Sequence, residues 1–140
     1  MDKKKQPGII FKNVFLKDLN FTRKPNISTS EISIKFSFNY SVSEDKKNMN
    51  CELVCDIADT ADAFFLHCSM LGVFLTIEGQ ENLELDEFAK NTASALMLPY
   101  MRELVMTTTV RAGLPPINFP PVNIRAMLKD ENAEIAAKIE

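Results

Sequence analysis

The chain predicts an α+β fold, a four-stranded antiparallel sheet followed by helices packed on one of its faces. Three observations carry this expectation. Period-2 alternation marks strands through the first half, short polar connections separate them, and the spacing turns helical from about residue 84 onward.

"IIFKNVFLKDLNF" (Ile9 to Phe21) is β-prone without dividing cleanly into two faces, and "RKPN" ends it in a turn. "EISIKFSFNYSV" is the clearest strand. Ile32, Ile34, Phe36, Phe38, Tyr40 and Val42 hold one parity and polar residues the other, as expected of a half-buried strand with one wet face. "SEDKKN" then makes a polar hairpin connection. In "CELVCDIA", Cys51, Leu53, Cys55 and Ile57 share a face, and "ADTADA" is the next turn. "AFFLHCSMLGVFLTI" (Ala63 to Ile77) is apolar in both parities, so it is a central strand or lies in a subunit contact. Gly72 within it implies a bulge or a close backbone approach.

The helical half opens with "ELDEFAKNTASALML" (Glu84 to Leu98), where Leu85, Phe88, Ala89, Thr92, Ala95 and Leu96 fall at helical spacing. Asp86 and Glu87 suit the positive end of its dipole. Pro99 is expected in a first turn, restarting the helix. Tyr100, Met101, Leu104, Val105 and Thr108 form a stripe on the second helix, Arg111 suits its last turn, and Gly113 is placed as its C-cap. Asn123 is the N-cap of a last helix, "NIRAMLKDENAEIAAKIE", with Ile124, Met127, Leu128, Ile135 and Ile139 down one side.

The 140 residues are read as a single domain, 1–140, whose first eight residues are a disordered terminus. An apolar fraction of 46% and a charged fraction of 25% are those of a globular protein. The net charge of −3 gives no support to nucleic-acid binding, which needs clustered Lys and Arg. No apolar run approaches the roughly 20 residues of a membrane span, and no secretory signal follows the N-terminal lysines. Three cysteines do not make a disulfide framework, so the expected compartment is the cytoplasm.

Catalytic chemistry finds no foothold in this pattern. His67 and Cys68 are neighbours on a strand and point to opposite faces, so they are not a nucleophile–base pair; His67 is read as a core or interface residue. Cys51 and Cys55 lie about 13 Å apart along an extended strand, too far for a disulfide or a shared metal. All three cysteines are read as small buried apolar residues. The carboxylates Glu78, Glu81, Glu84, Asp86 and Glu87 are read as a solvated helix start rather than an acid/base site. No phosphate-binding glycine loop exists among the 4 glycines. No enzyme activity, metal or cofactor is expected.

The unusual segment is the connection after Gly113. Leu114, Pro115, Pro116, Ile117, Phe119, Pro120, Pro121 and Val122 form a stiff apolar ribbon that cannot join a ladder, because proline lacks the backbone donor. It is either a buried crossover or one wall of an apolar groove whose other wall is the last helix. These readings are compatible, since one side can pack while the other lines a trough.

"LPYMRELVMTTTVRAGLPPINFPPVNI" resembles the signature half of the SecB family of bacterial protein-export chaperones. The matching residues are Pro99, Tyr100, Arg102, Glu103, Arg111, Gly113, Pro115, Asn118, Pro121, Val122 and Asn123. "LKDLNF" followed by Pro25-Asn26, and "GVF" at Gly72 to Phe74, are weaker matches, and the likeness runs from about Ile10 to Leu128. The resemblance implies a homotetramer, a dimer of dimers with helices sandwiched between sheets. It also implies a function: holding unfolded preproteins in apolar grooves without ATP and passing them to the SecA motor. The candidate client-binding residues are Tyr100, Leu104, Leu114, Pro115, Ile117, Phe119, Pro120, Val122, Ile124, Met127 and Leu128. For SecA contact, Asp18 matches an acidic position of the outer sheet face, whereas Thr22 and His67 stand where two other acids are expected. Two alternatives remain: a SecB-like chaperone dedicated to one client, such as the antitoxin of a toxin–antitoxin pair, and a small-molecule-binding α+β domain.

Overall fold

Five antiparallel strands build the sheet. They are β1 (Ile9–Arg23), β2 (Glu31–Val42), β3 (Asn48–Asp59), β4 (Phe64–Thr76) and β5 (Asn132–Lys138), in the spatial order β1-β4-β3-β2-β5. The computed structural model describes residues 8–27, 31–76, 85–115, 117 and 132–138, with backbone alone for residues 86, 90 and 132–138. β2, β3 and β4 are joined by hairpins, and β1 lies beside β4, which is a Greek-key arrangement.

The alternation seen in the sequence becomes the two faces of this sheet. Ile32, Ile34, Phe36 and Phe38 of β2 are buried, opposite Asp59, Ile57, Cys55 and Leu53 of β3. β4 is the central strand that its two apolar parities imply, with Leu66, Cys68, Met70 and Phe74 buried on the inner side. The β2–β3 hairpin is closed by Ser43, whose Oγ donates to Asp45 Oδ1 at 2.6 Å and accepts from the Asn48 N–H. The β3–β4 turn is organised by Asp59, only 4% exposed, whose Oδ1 accepts the N–H groups of Ala63 at 2.6 Å and Phe64 at 3.1 Å.

The helical half departs from the expected two helices. Residues 85–111 run as one uninterrupted rod: α1 (Leu85–Phe88), a π-helical stretch Ala89–Ala93, and α2 (Ser94–Arg111). Pro99 lies inside α2 rather than in a first turn. It is tolerated because Ala95, whose carbonyl loses its donor, is on the exposed side with Pro99. The wider π turn shifts the buried face. Ala89, Ala93, Met97, Met101, Val105 and Thr109 are all fully buried, while Ala95 and Leu96 turn outward and Phe88 and Thr92 are half-buried. On α2, Met101 and Val105 of the expected stripe are buried, and Tyr100 is not.

Gly72 is a close approach, not a bulge. A Cβ there would stand 2.8 Å from Met97 Sδ and 3.2 Å from the Phe74 ring. The irregularities fall instead in β1, between Phe11 and Asn13 and between Leu16 and Asp18, which explains why its sequence divides poorly into faces. The last helix is also corrected. Residues 132–138, including Ile135, are a strand on β2; residues 124–131 and Ile139 lie outside the described residues. Gly8, expected in the disordered terminus, is a buried bend at the head of β1.

Asp59→Ala should lower the unfolding free energy by about 1–3 kcal/mol, because two buried N–H groups lose their acceptor. Asp59→Asn, which keeps an acceptor oxygen, should lose less. Urea denaturation of both variants checks the difference.

Candidate functional site

The rod crosses the inner face over β3 and β4 and leaves the middle of β1 uncovered. Phe88 meets Phe74 with centroids 5.4 Å apart, Met97 packs at Gly72, and Cys68 Sγ lies 3.1 Å from Met101 Sδ. At its far end, Arg23 Nη1 donates to the Ala112 carbonyl. Leu16 and Leu19 pair with Met70 and Cys68 and so share their side of the sheet, yet they remain 44% and 40% exposed. Nearby, Phe11 stacks on Phe74 at 4.6 Å, and Tyr100 meets Phe11 edge-on at 5.8 Å. Phe11, Leu16, Leu19 and Tyr100 thus outline an apolar shelf between edge strand and helix. Leu96 and Val110 are exposed on α2 as well.

The loop after α2 starts from a defined cap. Gly113 has φ +78°, its N–H bonds the Val110 carbonyl, and the Leu114 N–H reaches back to Thr109 O at 3.0 Å. This six-residue return is the Schellman geometry that a C-terminal glycine permits. Arg23 secures it from the sheet side, donating to Ala112 O, Lys24 O and Pro25 O together. Leu114 and Ile117 are buried at 7% and 3%, so they anchor the ribbon in the core, while Pro115 is exposed. Tyr100 is 43% exposed and Leu104 half-buried. The other candidate client contacts, Phe119, Pro120, Val122, Ile124, Met127 and Leu128, lie outside the described residues.

The outer face brings Asp18, Thr22 and His67 together on β1 and β4. Across β1, β4 and β3 the rows read Asp18–Ser69–Val54, Asn20–His67–Asp56 and Thr22–Phe65–Ala58. His67 is thus no core residue. Its Nδ1 lies 2.5 Å from Asp56 Oδ1 and its Nε2 lies 3.6 Å from Asp18 Oδ2. Thr22 lines a shallow cavity of about 270 Å³ with Arg23, Phe64 and Phe65. Sequence reasoning missed Asp56 and Glu52, because only the β3–β4 register shows that they join this face. Glu52 accepts from Ser69 Oγ and Lys17 Nζ. The Ser69 hydrogen bond first, and Lys17 second, hold its carboxyl below the ordinary value. The stability it contributes is therefore present above the ordinary carboxylate pKa and lost as pH falls through the lowered one; partial exposure keeps it small.

Among the described residues no His, Cys, Asp and Glu group could hold a metal. Cys51, Cys55 and Cys68 are free and buried, as read from the sequence. Their arrangement was not legible there: Cys55 sits directly opposite Cys68 on the neighbouring strand. Burial pushes the Cys51 thiol up to about 12. The Cys55 thiol is raised also, first by its hydrogen bond with Cys68 and then by burial. No described helix is long and apolar enough to cross a membrane.

The sheet, its helical rod and the glycine-capped connection that follows are those of a known chaperone family. The family model "Preprotein translocase subunit SecB" matches residues 2–135. The chain belongs to the SecB family and is a SecB-family chaperone. A protein-export protein SecB of Actinobacillus succinogenes is 26% identical over 133 residues, covering 87% of this chain and 79% of that protein. An uncharacterized protein of Methanocaldococcus jannaschii is 33% identical over 76 residues, half of this chain and 48% of its own length. Among solved structures, the fold matches that of a Mycobacterium tuberculosis SecB-like chaperone in complex with a peptide from an antitoxin. The TM-score is 0.69 at 18% identity, covering 81% of this chain and 90% of that one.

In the native protein none of the three thiols should react with a maleimide at mildly alkaline pH, since burial keeps them protonated and out of reach. All three should react once denaturant is added. Mass spectrometry counts the adducts.

Proposed function

We propose that this SecB-family chaperone is an ATP-independent holdase that binds non-native polypeptides on apolar surface left open beside α2. The observation that carries the reading is exposed apolar surface on the inner side of β1: Leu16 and Leu19 share the face of buried Met70 and Cys68 yet stay exposed, with Tyr100 exposed on the helix beside them. A patch of this kind on a folded chain marks a binding surface. Non-native clients expose apolar side chains in no fixed order, and burying each contributes roughly 1.5–3 kcal/mol without needing a specific partner. Tyr100 and Leu104 belong to this surface. Pro115, exposed at the start of the ribbon, is a further contact, as are Phe119, Pro120, Val122, Ile124, Met127 and Leu128 outside the described residues, whereas Leu114 and Ile117, assigned to the groove from the sequence, are buried in the core.

The exposed apolar residues Leu96 and Val110 on α2 favour a homotetramer, a dimer of dimers with these helices between sheets. The chaperone then works in the cytoplasm, with neither cofactor nor catalysis. A client wound over several subunits gains avidity from many weak contacts. The outer-face row of Asp18, Thr22 and His67 is the proposed contact for SecA. Dedication to one client, such as an antitoxin, is the second reading. It is favoured by the lapse of two expected acids at Thr22 and His67 and by the antitoxin peptide held by the Mycobacterium tuberculosis chaperone.

The protein should suppress aggregation of several reduced, unfolding clients at near-stoichiometric ratio without nucleotide, followed by light scattering. Protection of a single partner supports the dedicated reading, and suppression of none defeats both. Leu16→Asp with Leu19→Asp should weaken client binding by about tenfold or more, since the exposed two-fifths of each leucine offers about 0.6–1.2 kcal/mol of further burial, and the two together about 1.4 kcal/mol or more. His67→Glu should raise SecA affinity, read by surface plasmon resonance; no change would remove this face from the docking reading.

A further inference from the structure

The fifth strand is the least expected element of the fold. β5 pairs antiparallel with the first part of β2, placing Lys138 opposite Glu31, Ala137 opposite Ile32, Ile135 opposite Ile34, Glu134 opposite Lys35 and Ala133 opposite Phe36. Its sequence, "NAEIAAK", is poor in strand formers. Asn, Ala, Glu and Lys are depleted in strands, and Ala is the strongest helix former. Local preference and observed conformation therefore oppose each other, and the segment is held by the ladder and its register, not by its own propensity.

The register nonetheless matches. Ala133, Ile135 and Ala137 stand opposite the buried β2 residues Phe36, Ile34 and Ile32, while Glu134 and Lys138 stand opposite the exposed charges Lys35 and Glu31 of contrary sign. Opposite-charge and apolar pairs at facing positions favour this pairing over a slip by one residue, which would set charges against the core side. The edge of β2 is thus a template that reads an alternating apolar–charged strand, and 132–138 is a matched but weakly committed occupant.

We propose that the β2 edge at Glu31–Ser37 is a strand-addition site for an extended polypeptide segment with apolar residues at alternate positions, and that residues 132–138 of the same chain occupy it until such a segment displaces them. Main-chain hydrogen bonds supply affinity to any extended segment, and the alternate side chains supply selectivity. The resident strand lowers the apparent affinity for the incoming one by the fraction of time it leaves the edge open. The client chemistry follows from the holdase reading, but occupancy of the edge by 132–138 does not.

The test uses the full-length chain carrying Ile135→Pro and Ala136→Pro. Successive residues of a strand turn their N–H groups to opposite sides, so this pair removes a ladder donor whichever faces β2. The probe is a fluorescein-labelled synthetic peptide of sequence NAEIAAKIE, followed by anisotropy. The expected result is binding to the double variant at least about tenfold tighter than to the unaltered chain, since the closed fraction of the edge is removed. Amide exchange should quicken across Glu31–Ser37 in the variant and slow again with the peptide, with β3 and β4 unchanged. An unfolded, reduced client should displace the peptide. Equal peptide binding by both chains, or unchanged exchange on β2, overturns the proposal, as does failure of the client to compete. Aggregation suppression by the unaltered chain reads the holdase function separately. Suppression without edge binding sinks this inference alone, and edge binding by the peptide without suppression sinks the holdase reading.

Discussion

The arrangement depends on one contact, the packing of a single helical rod against Gly72 on the inner face of the sheet. Gly72 has no side chain, and Met97 fills the space that a Cβ would take. This close approach fixes the rod over the middle of the Greek key, where Cys68 meets Met101 and Phe74 meets Phe88. One rod is about 10–12 Å wide with its side chains, whereas neighbouring strands are roughly 4.8 Å apart. It can therefore cover two to three strands, and the edge strand β1 is the one left with exposed leucines. The apolar shelf is a geometric consequence of where the helix sits. The π-helical stretch belongs to the same constraint, since its wider turn brings Ala89 and Ala93 into line with Met97 and Met101, so one stripe stays in contact along the whole rod.

The second fixed point is the far end of that rod. Gly113 turns the chain in the left-handed region, and Leu114 closes the last turn by its hydrogen bond to Thr109. Arg23 spreads its guanidinium over three carbonyls, one of them Ala112 at the helix terminus. A cation at this end also meets the negative pole of the helix dipole. The start of the proline-rich ribbon is thereby tied to the strand whose inner side is bare. A rigid origin reduces the entropy lost when the neighbouring surface orders around a bound chain.

Much of this fold was legible in the sequence, and what was not has identifiable causes. The alternation of Ile32 to Val42 translated directly into the buried side of β2, because a half-buried strand obeys period 2. The glycine at 113 was legible because only a left-handed residue ends a helix that way. Phe11 to Asp18 was opaque, since two irregularities reset the parity and no composition signal marks them. The outward turn of Ala95 and Leu96 was missed because a 3.6-residue period was applied across a π turn. Residues 132–138 read as helix on propensity, and tertiary pairing overrode it. His67 was read as a core or interface residue, and its acidic partner on the next strand could be found only from the pairing of β3 with β4.

That last pairing changes how the outer face should be understood. Viewed from the sequence, the replacement of an expected acid by His67 weakens a negatively charged surface. In the folded sheet, however, His67 lies between Asp18 and Asp56, and Glu52 stands two rows from Asp56 along β3. Two aspartates flank this single imidazole, so the face stays acidic, with Lys17 engaged by Glu52. An acidic row of this size on an open surface acts mainly on the rate and orientation of encounter with a basic partner, and it is screened within about 10 Å at moderate salt. Exchanging an acid for a histidine clamped by two others therefore costs the surface less attraction than the bare substitution suggests. What it changes more is shape. The ring ties Asp56 to itself by a hydrogen bond instead of leaving that carboxylate free on the surface.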